Sequence, residues 1–358
     1  MAADGMEQLA RLGQSVWLDN INRSLLDSGR LRALIRQGLR GLTSNPTIFE
    51  HAVESGKDYD ALIASLKAKP VFGIYDALTI RDVKDAADAF SSVHRDSNGL
   101  DGYVSLEIDP RMARNTGGTI TEGTRLAAAV GRPNLMVKVP ATDEGFPAIE
   151  RLIANGVNVN VTLIFSLDQY ERAARAYLEG VRKCSRDPRS VRSVASVFVS
   201  RIDTAVDPLL AAQPELKGKA AVANSAAIYA RYRELFFTLS RDVARGTNPQ
   251  RVLWGSTGTK DPAYPDTKYV GELVGRDTVN TIPEKTLQAF LDHGVAKEVL
   301  SSDATAARAV LAKISAAGVD LPAVEAKLLE DGLAAFVASF ESMLRTIEAK
   351  TKGSGKAA

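Results

Sequence analysis

In Val157-Asn-Val-Asn-Val-Thr-Leu-Ile-Phe165 polar and apolar side chains alternate along a run too short for a typical helix. Extended backbone sends successive side chains to opposite faces, so Asn158, Asn160 and Thr162 share one face and Val157, Val159, Val161 and Leu163 the other. A polar face on a buried strand requires a polar interior. The same two-residue spacing gathers Trp17 with Asp19, Thr43 with Asn45, Ser105 with Glu107, Met136 with Lys138, Ser196 with Phe198, and Trp254 with Ser256. Only a closed barrel points so many of these at one axis.

Eight strands are expected: Ser15–Asn20, Gly41–Asn45, Gly102–Ile108, Leu135–Ala141, Val157–Phe165, Val194–Ser200, Val252–Ser256 and Thr278–Ile282. Helical patterns separate them, among them Asp58–Leu66, Thr121–Val130, Phe146–Ala154, Leu167–Lys183 and Ala220–Leu239. Strands alternating with helices imply parallel pairing. An open doubly wound sheet carries the same local signature as a (β/α)8 TIM barrel, and the shared polar face selects the barrel. Thr116-Gly-Gly-Thr119 reads as a turn entering a helix. Leu329, Leu333, Phe336, Phe340, Leu344 and Ile347 recur at three and four, predicting one amphipathic helix over Leu321–Lys350, packed on the barrel shell. No linker divides the chain, so 1–358 is expected to form one α/β domain: barrel over 15–283, C-terminal helices over 284–350, and a frayed tail over 351–358.

Composition narrows the function. Lys and Arg total 45 against 43 Asp and Glu, a net charge of +2, which supplies no basic field for nucleic acid or an anionic membrane. Cys184, His51, His94 and His293 lie far apart, so no metal site is expected. No run approaches the roughly 18 apolar residues of a membrane span, and Asp4 and Glu7 stand where a signal peptide is apolar. The expectation is a cytoplasmic protein.

Lys138, in Leu135-Met-Val-Lys-Val-Pro140, has apolar neighbours on a strand that should be buried. Burial disfavours an ammonium's charge, which is how a lysine becomes a nucleophile toward a carbonyl, as in Schiff-base chemistry. The competing reading is a structural ion pair with Glu107; the further polar groups on the same face favour catalysis. Asp19 and Glu107 are carboxylates at matching strand positions, enough for one base and one proton shuttle, although each also suits a strand-end cap. Asn45, Asn160, Thr162 and Ser196 either satisfy one another or read a polyol's hydroxyls. Gly255-Ser-Thr-Gly-Thr-Lys260 follows the seventh strand, a favoured place for phosphate in barrels, without Walker A spacing. Arg201, beyond the sixth strand, adds a second cation.

Five ordered motifs then resemble the transaldolase family: Gly41-Leu-Thr-Ser-Asn-Pro-Thr-Ile-Phe49, Val104-Ser-Leu-Glu-Ile-Asp109, Leu135-Met-Val-Lys-Val-Pro-Ala-Thr142, Asn158-Val-Asn-Val-Thr-Leu-Ile-Phe165 and Ser196-Val-Phe-Val-Ser-Arg-Ile202. The resemblance runs from about residue 15 to 283. It implies a cofactor-free transferase that moves a dihydroxyacetone unit between sugar phosphates in the non-oxidative pentose phosphate pathway. By the same resemblance Lys138 forms the Schiff base, Asp19 takes the C4 hydroxyl proton, Glu107 and Thr162 hold a water for proton shuttling, and Asn45, Asn160 and Ser196 orient the bound unit. Arg201, Ser256 and Lys260 are the implied phosphate ligands. Many transaldolases have Ser-x-Arg-Asn after strand seven, whereas Ser256-Thr-Gly-Thr-Lys260 spaces serine and cation as a longer bacterial and plant branch does. Phe198 stands where related fructose 6-phosphate aldolases have tyrosine, which favours transferase over aldolase. A silent sugar-phosphate-binding barrel is the third reading, and the oligomeric state stays open between monomer and homodimer.

Overall fold

The computed structural model describes residues 5–244 and 246–353. Eight parallel strands close in sequence order into a barrel: β1 (Gln14–Asp19), β2 (Gly41–Thr43), β3 (Tyr103–Glu107), β4 (Leu135–Pro140), β5 (Val159–Ile164), β6 (Ser193–Phe198), β7 (Arg251–Gly255) and β8 (Thr278–Ile282). Each expected strand is present, with its ends no more than two residues from those expected and those of β8 unchanged. The helices used below are α1 (Pro46–Ser55), α2 (Thr116–Val130), α3 (Gly145–Ala154), α4 (Leu167–Arg182), α5 (Ser200–Val206), α6 (Ala220–Arg233), α7 (Thr305–Ala316) and α8 (Leu321–Gly353). Among the described residues no helix is long and apolar enough to cross a membrane.

Burial explains the sequence pattern. The large apolar cluster holds Val137, Val139, Val159 and Val161, together with helix residues such as Leu152 and Tyr170, and fills the space between strands and helices. A second cluster, Trp17, Tyr103, Met136, Val194, Leu253 and Val279, takes one residue from each of six strands and plugs the barrel interior. Trp17 sets the local geometry of β2: a Cβ at Gly41 would lie 2.5 Å from its indole ring. Two positions further along the strands the interior turns polar, with Asp19, Ser105, Lys138 and Ser196 following Trp17, Tyr103, Met136 and Val194. Inward side chains in that layer lie nearer the C-terminal mouth.

Five details depart from the sequence reading. Trp254 pairs in register with Val197 in the outer layer, and Leu253 takes the interior place. The cause is Ser256, whose backbone is left-handed (φ 53°), so counting back from it by twos does not give the facing of β7. Asn158 precedes β5; its amide donates to the carbonyls of Pro133 and Leu135 and its oxygen accepts from the Arg192 N–H, away from the mouth. Thr116-Gly-Gly-Thr119 is already the first turn of α2, capped by the Asn115 side chain. The α6 pattern changes to a π-helix over Glu234–Leu239. Finally, α8 packs on the shell helix Val71–Ala89, with Phe340 edge-on to Tyr75, as expected, but it also crosses α1 and α5, which follow β2 and β6 at the C-terminal mouth, and it continues to Gly353. Of the expected frayed tail, 354–358 falls outside the described residues.

Candidate active site

The mouth of the barrel holds a cavity of about 200 Å³, lined among others by Asp19, Asn45, Lys138, Ser196, Phe198, Arg201, Ser256 and Lys260. Eight of the eleven expected site residues therefore meet in one place. Glu107, Asn160 and Thr162 are buried beside it without lining it.

Register builds the centre. Glu107 on β3, Lys138 on β4 and Asn160 on β5 are successive partners across three strands. Lys138 Nζ lies 3.3 Å from Glu107 Oε2 and donates to the Ser44 carbonyl at 3.0 Å. Burial pushes the Glu107 carboxyl up from its ordinary range, and the neighbouring Lys138 charge pulls against that rise. Although the ion pair is close, neither Glu107 oxygen nor the Thr162 hydroxyl has a hydrogen-bond partner among the described residues. Asn160 is held on both sides, its Nδ2 donating to Ser105 Oγ at 3.0 Å and its Oδ1 accepting from Ser196 Oγ at 2.6 Å. Of the four side chains that the sequence allowed to satisfy one another, Asn160 and Ser196 are joined in this way, whereas Thr162 has no hydrogen-bond partner among the described residues.

Across the cavity, Asp19 Oδ1 accepts from Thr43 Oγ1 at 2.7 Å, and Thr43 Oγ1 also meets Thr281 Oγ1 at 2.6 Å. Asp19 sits deep in the fold with part of its surface open to the cavity. Burial raises its carboxyl above the usual aspartate range, while Lys138 and the Thr43 hydrogen bond oppose that rise. Asn45 caps α1, its Oδ1 accepting from the Ile48 N–H at 2.9 Å, with Pro46 at the first helical position. Its amide position is thus fixed by the helix it starts.

The cationic side is built by β6 and β7. Arg201 lies with its guanidinium carbon 5.2 Å from the Phe198 ring centroid, and Phe198 meets Phe165 edge-on at 5.6 Å. Burial weakens the guanidinium's hold on its proton and Asp19 opposes that effect. Ser256 Oγ is 3.0 Å from Ser200 Oγ, and Ser256 O accepts from the Ser200 N–H at 3.0 Å. Lys260 is exposed at the rim. Arg201, Ser256 and Lys260 provide donors and positive charge on the side of the cavity facing away from Glu107, an arrangement suited to an anion.

Sequence reasoning missed Thr43, Thr281, Pro283, Ile48 and Phe336 as cavity residues. Thr43 was legible from its spacing with Asn45. Phe336 was not: it belongs to the α8 stripe, yet its ring centroid lies 6.0 Å from Lys138 Nζ. Gly332, one turn earlier, lets the helix come this close, since a Cβ there would fall 3.0 Å from Leu163 Cδ2 and 3.5 Å from Arg201 Nη1. Among the described residues no three His, Cys, Asp or Glu side chains gather as a metal site.

Fold and site together define a (β/α)8 barrel with a buried, carboxylate-flanked lysine at its C-terminal mouth and cations on the opposite wall. A sequence model of the family described as Transaldolase/Fructose-6-phosphate aldolase matches residues 16–347. A transaldolase of Saccharopolyspora erythraea is 46% identical over 355 residues, covering 96% of this chain and 96% of that protein. Transaldolases of Thiobacillus denitrificans and Neisseria gonorrhoeae are 45% and 43% identical, covering 95% of this chain in each case and 99% and 98% of their own lengths. The chain belongs to the Transaldolase/Fructose-6-phosphate aldolase family.

Proposed function

We propose that the chain is a cytoplasmic transaldolase of the non-oxidative pentose phosphate pathway, its barrel and C-terminal helices acting as one domain. The observation that carries this reading is the buried Lys138 ammonium, 3.3 Å from Glu107 and lining one cavity with Asp19. The names borne by relatives of matching length support it.

The Lys138 amine, once deprotonated, adds to the C2 carbonyl of fructose 6-phosphate or sedoheptulose 7-phosphate. Glu107, through a water held with Thr162, moves the proton that turns the carbinolamine hydroxyl into leaving water, and an iminium remains. Asp19 takes the C4 hydroxyl proton, the C3–C4 bond breaks, the aldose phosphate departs, and the bond's electrons become an enamine on Lys138. The acceptor aldehyde, glyceraldehyde 3-phosphate or erythrose 4-phosphate, is attacked by C3 of that enamine, and the steps then run in reverse to hydrolysis. Asn45, Asn160 and Ser196 orient the dihydroxyacetone unit, while Arg201, Ser256 and Lys260 hold the phosphate. Phe198 offers no phenol to position water, which supports transfer over release.

The test is glyceraldehyde 3-phosphate release from fructose 6-phosphate, with and without erythrose 4-phosphate, in a chelator. Release that needs the acceptor and ignores the chelator is expected. Equal release without acceptor would make the protein an aldolase, and no release in either case would leave a silent sugar-phosphate-binding barrel.

A further inference from the structure

Lys260 occupies a loop whose two ends are tied to the same short helix. At the near end, Ser256 is bonded through backbone and side chain to Ser200, the first residue of α5. At the far end, Tyr264 donates its hydroxyl to Asp207 Oδ2 at 2.7 Å, immediately after α5, and Asp207 Oδ1 accepts from the Gly218 N–H at 2.8 Å. One turn back along α5, Asp203 Oδ2 accepts from the Tyr269 hydroxyl at 2.8 Å, and its Oδ1 accepts from the Ala221 N–H at 2.7 Å. Asp203 and Asp207 are four residues apart, so they share a face, and the two tyrosines reach them from the segment that follows Lys260. Within the loop, Thr259 Oγ1 donates to the Pro265 carbonyl at 2.9 Å and the Ala263 N–H donates to Asp261 Oδ1 at 2.8 Å, which folds the stretch into a compact arch.

The same helix carries Arg201 in its first turn. The two cations of the anion wall are thus referred to one rigid element, Arg201 directly and Lys260 through the arch. Lys260 forms no ion pair among the described residues, so its place depends on the backbone that bears it rather than on a carboxylate partner.

We infer that Tyr264 and Tyr269, clasped to Asp207 and Asp203, are positioning residues that set the span between Lys260 and Arg201 and so the fit of the substrate phosphate. This rests on the phosphate reading of Arg201, Ser256 and Lys260 given above. The clasp touches neither Lys138 nor the carbon chain, so its effect falls on binding that ground state and transition state share.

Tyr264→Phe and Tyr269→Phe keep the ring and remove the hydroxyl. Each is expected to raise the KM for fructose 6-phosphate and the inhibition constant of inorganic phosphate by about three- to tenfold, with kcat within about twofold, as loss of one charge-assisted hydrogen bond implies. Tyr264 is half-buried at the rim, so its variant keeps the test available should Tyr269→Phe fail to fold. Unchanged KM and phosphate inhibition in Tyr264→Phe would overturn the inference, whatever the melting temperature does, and so would a fall in kcat alone. Lys260→Ala is the control. If it weakens phosphate inhibition while the tyrosine variants do not, only the clasp is refuted; if it also leaves inhibition unchanged, the phosphate reading falls and the clasp with it.

Discussion

Glu107 and Lys138 are direct partners on adjacent parallel strands, and their side chains, 3% and 5% exposed, meet at 3.3 Å inside the barrel. Each charge is so buried that the other is its main compensation. Breaking such a pair by removing one partner leaves an uncompensated charge and costs about 3–5 kcal/mol. Glu107→Gln is therefore expected to lower stability by about 3 kcal/mol in chemical denaturation, besides slowing turnover. Undiminished stability would mean that the pair contributes little to the folded state.

Asp19 leads to a prediction with a definite sign. A base works only when ionised, and burial raises the Asp19 carboxyl above the ordinary aspartate range, so activity is lost as pH falls through that raised value. Thr43 donates to Asp19 and favours the ionised form. Thr43→Val keeps the shape and removes the donor, so the acid limb of the kcat profile should move to higher pH. A limb that stays in place or moves down contradicts the assignment. Asp19→Asn should lower kcat by about 10²–10⁴ with little change in KM.

At Phe198 the question is transfer against release. The ring is 8% exposed, packs edge-on against Phe165 and underlies the Arg201 guanidinium. Phe198→Tyr introduces a hydroxyl that can hold water near the enamine, and the ratio of acceptor-independent dihydroxyacetone release to transfer should rise several-fold. An unchanged ratio would remove this position from the choice.

Glu325, on α8, faces the large groove between α4, α6, α7 and α8, and burial alone raises its carboxyl from 4.5 to about 7. A raised carboxyl means that the folded state holds the proton more tightly, so the stability it permits at acid pH is lost as pH climbs from about 4.5 through about 7. At about 1.4 kcal/mol per pKa unit the full rise amounts to about 3 kcal/mol, and solvent in the groove screens it to about 1 kcal/mol. Glu325→Gln should raise the melting temperature at pH 8 and leave it nearly unchanged at pH 4. Equal effects at both pH values would contradict this.

The fold was legible because alternation in β5 and its counterparts records both faces of a strand, and only a barrel gives every inner face one destination. Lys138, Glu107 and Asp19 could be read for the same reason, as costly charges at interior positions. Trp254 misled the reading because the left-handed Ser256 breaks the parity from which it was counted. Phe336 was hidden by its ordinariness: an apolar stripe states that a helix is covered on one side and not what covers it. The tyrosine clasps were invisible too, since hydrogen bonds between loops leave no periodicity in sequence.

The central claim is that Lys138 forms the covalent intermediate. Incubation with fructose 6-phosphate and borohydride should inactivate the enzyme irreversibly and add one reduced dihydroxyacetone unit to the peptide carrying Lys138, with no such adduct and no turnover in Lys138→Ala. An adduct on another lysine, or an Lys138→Ala variant that still turns over, would contradict the account.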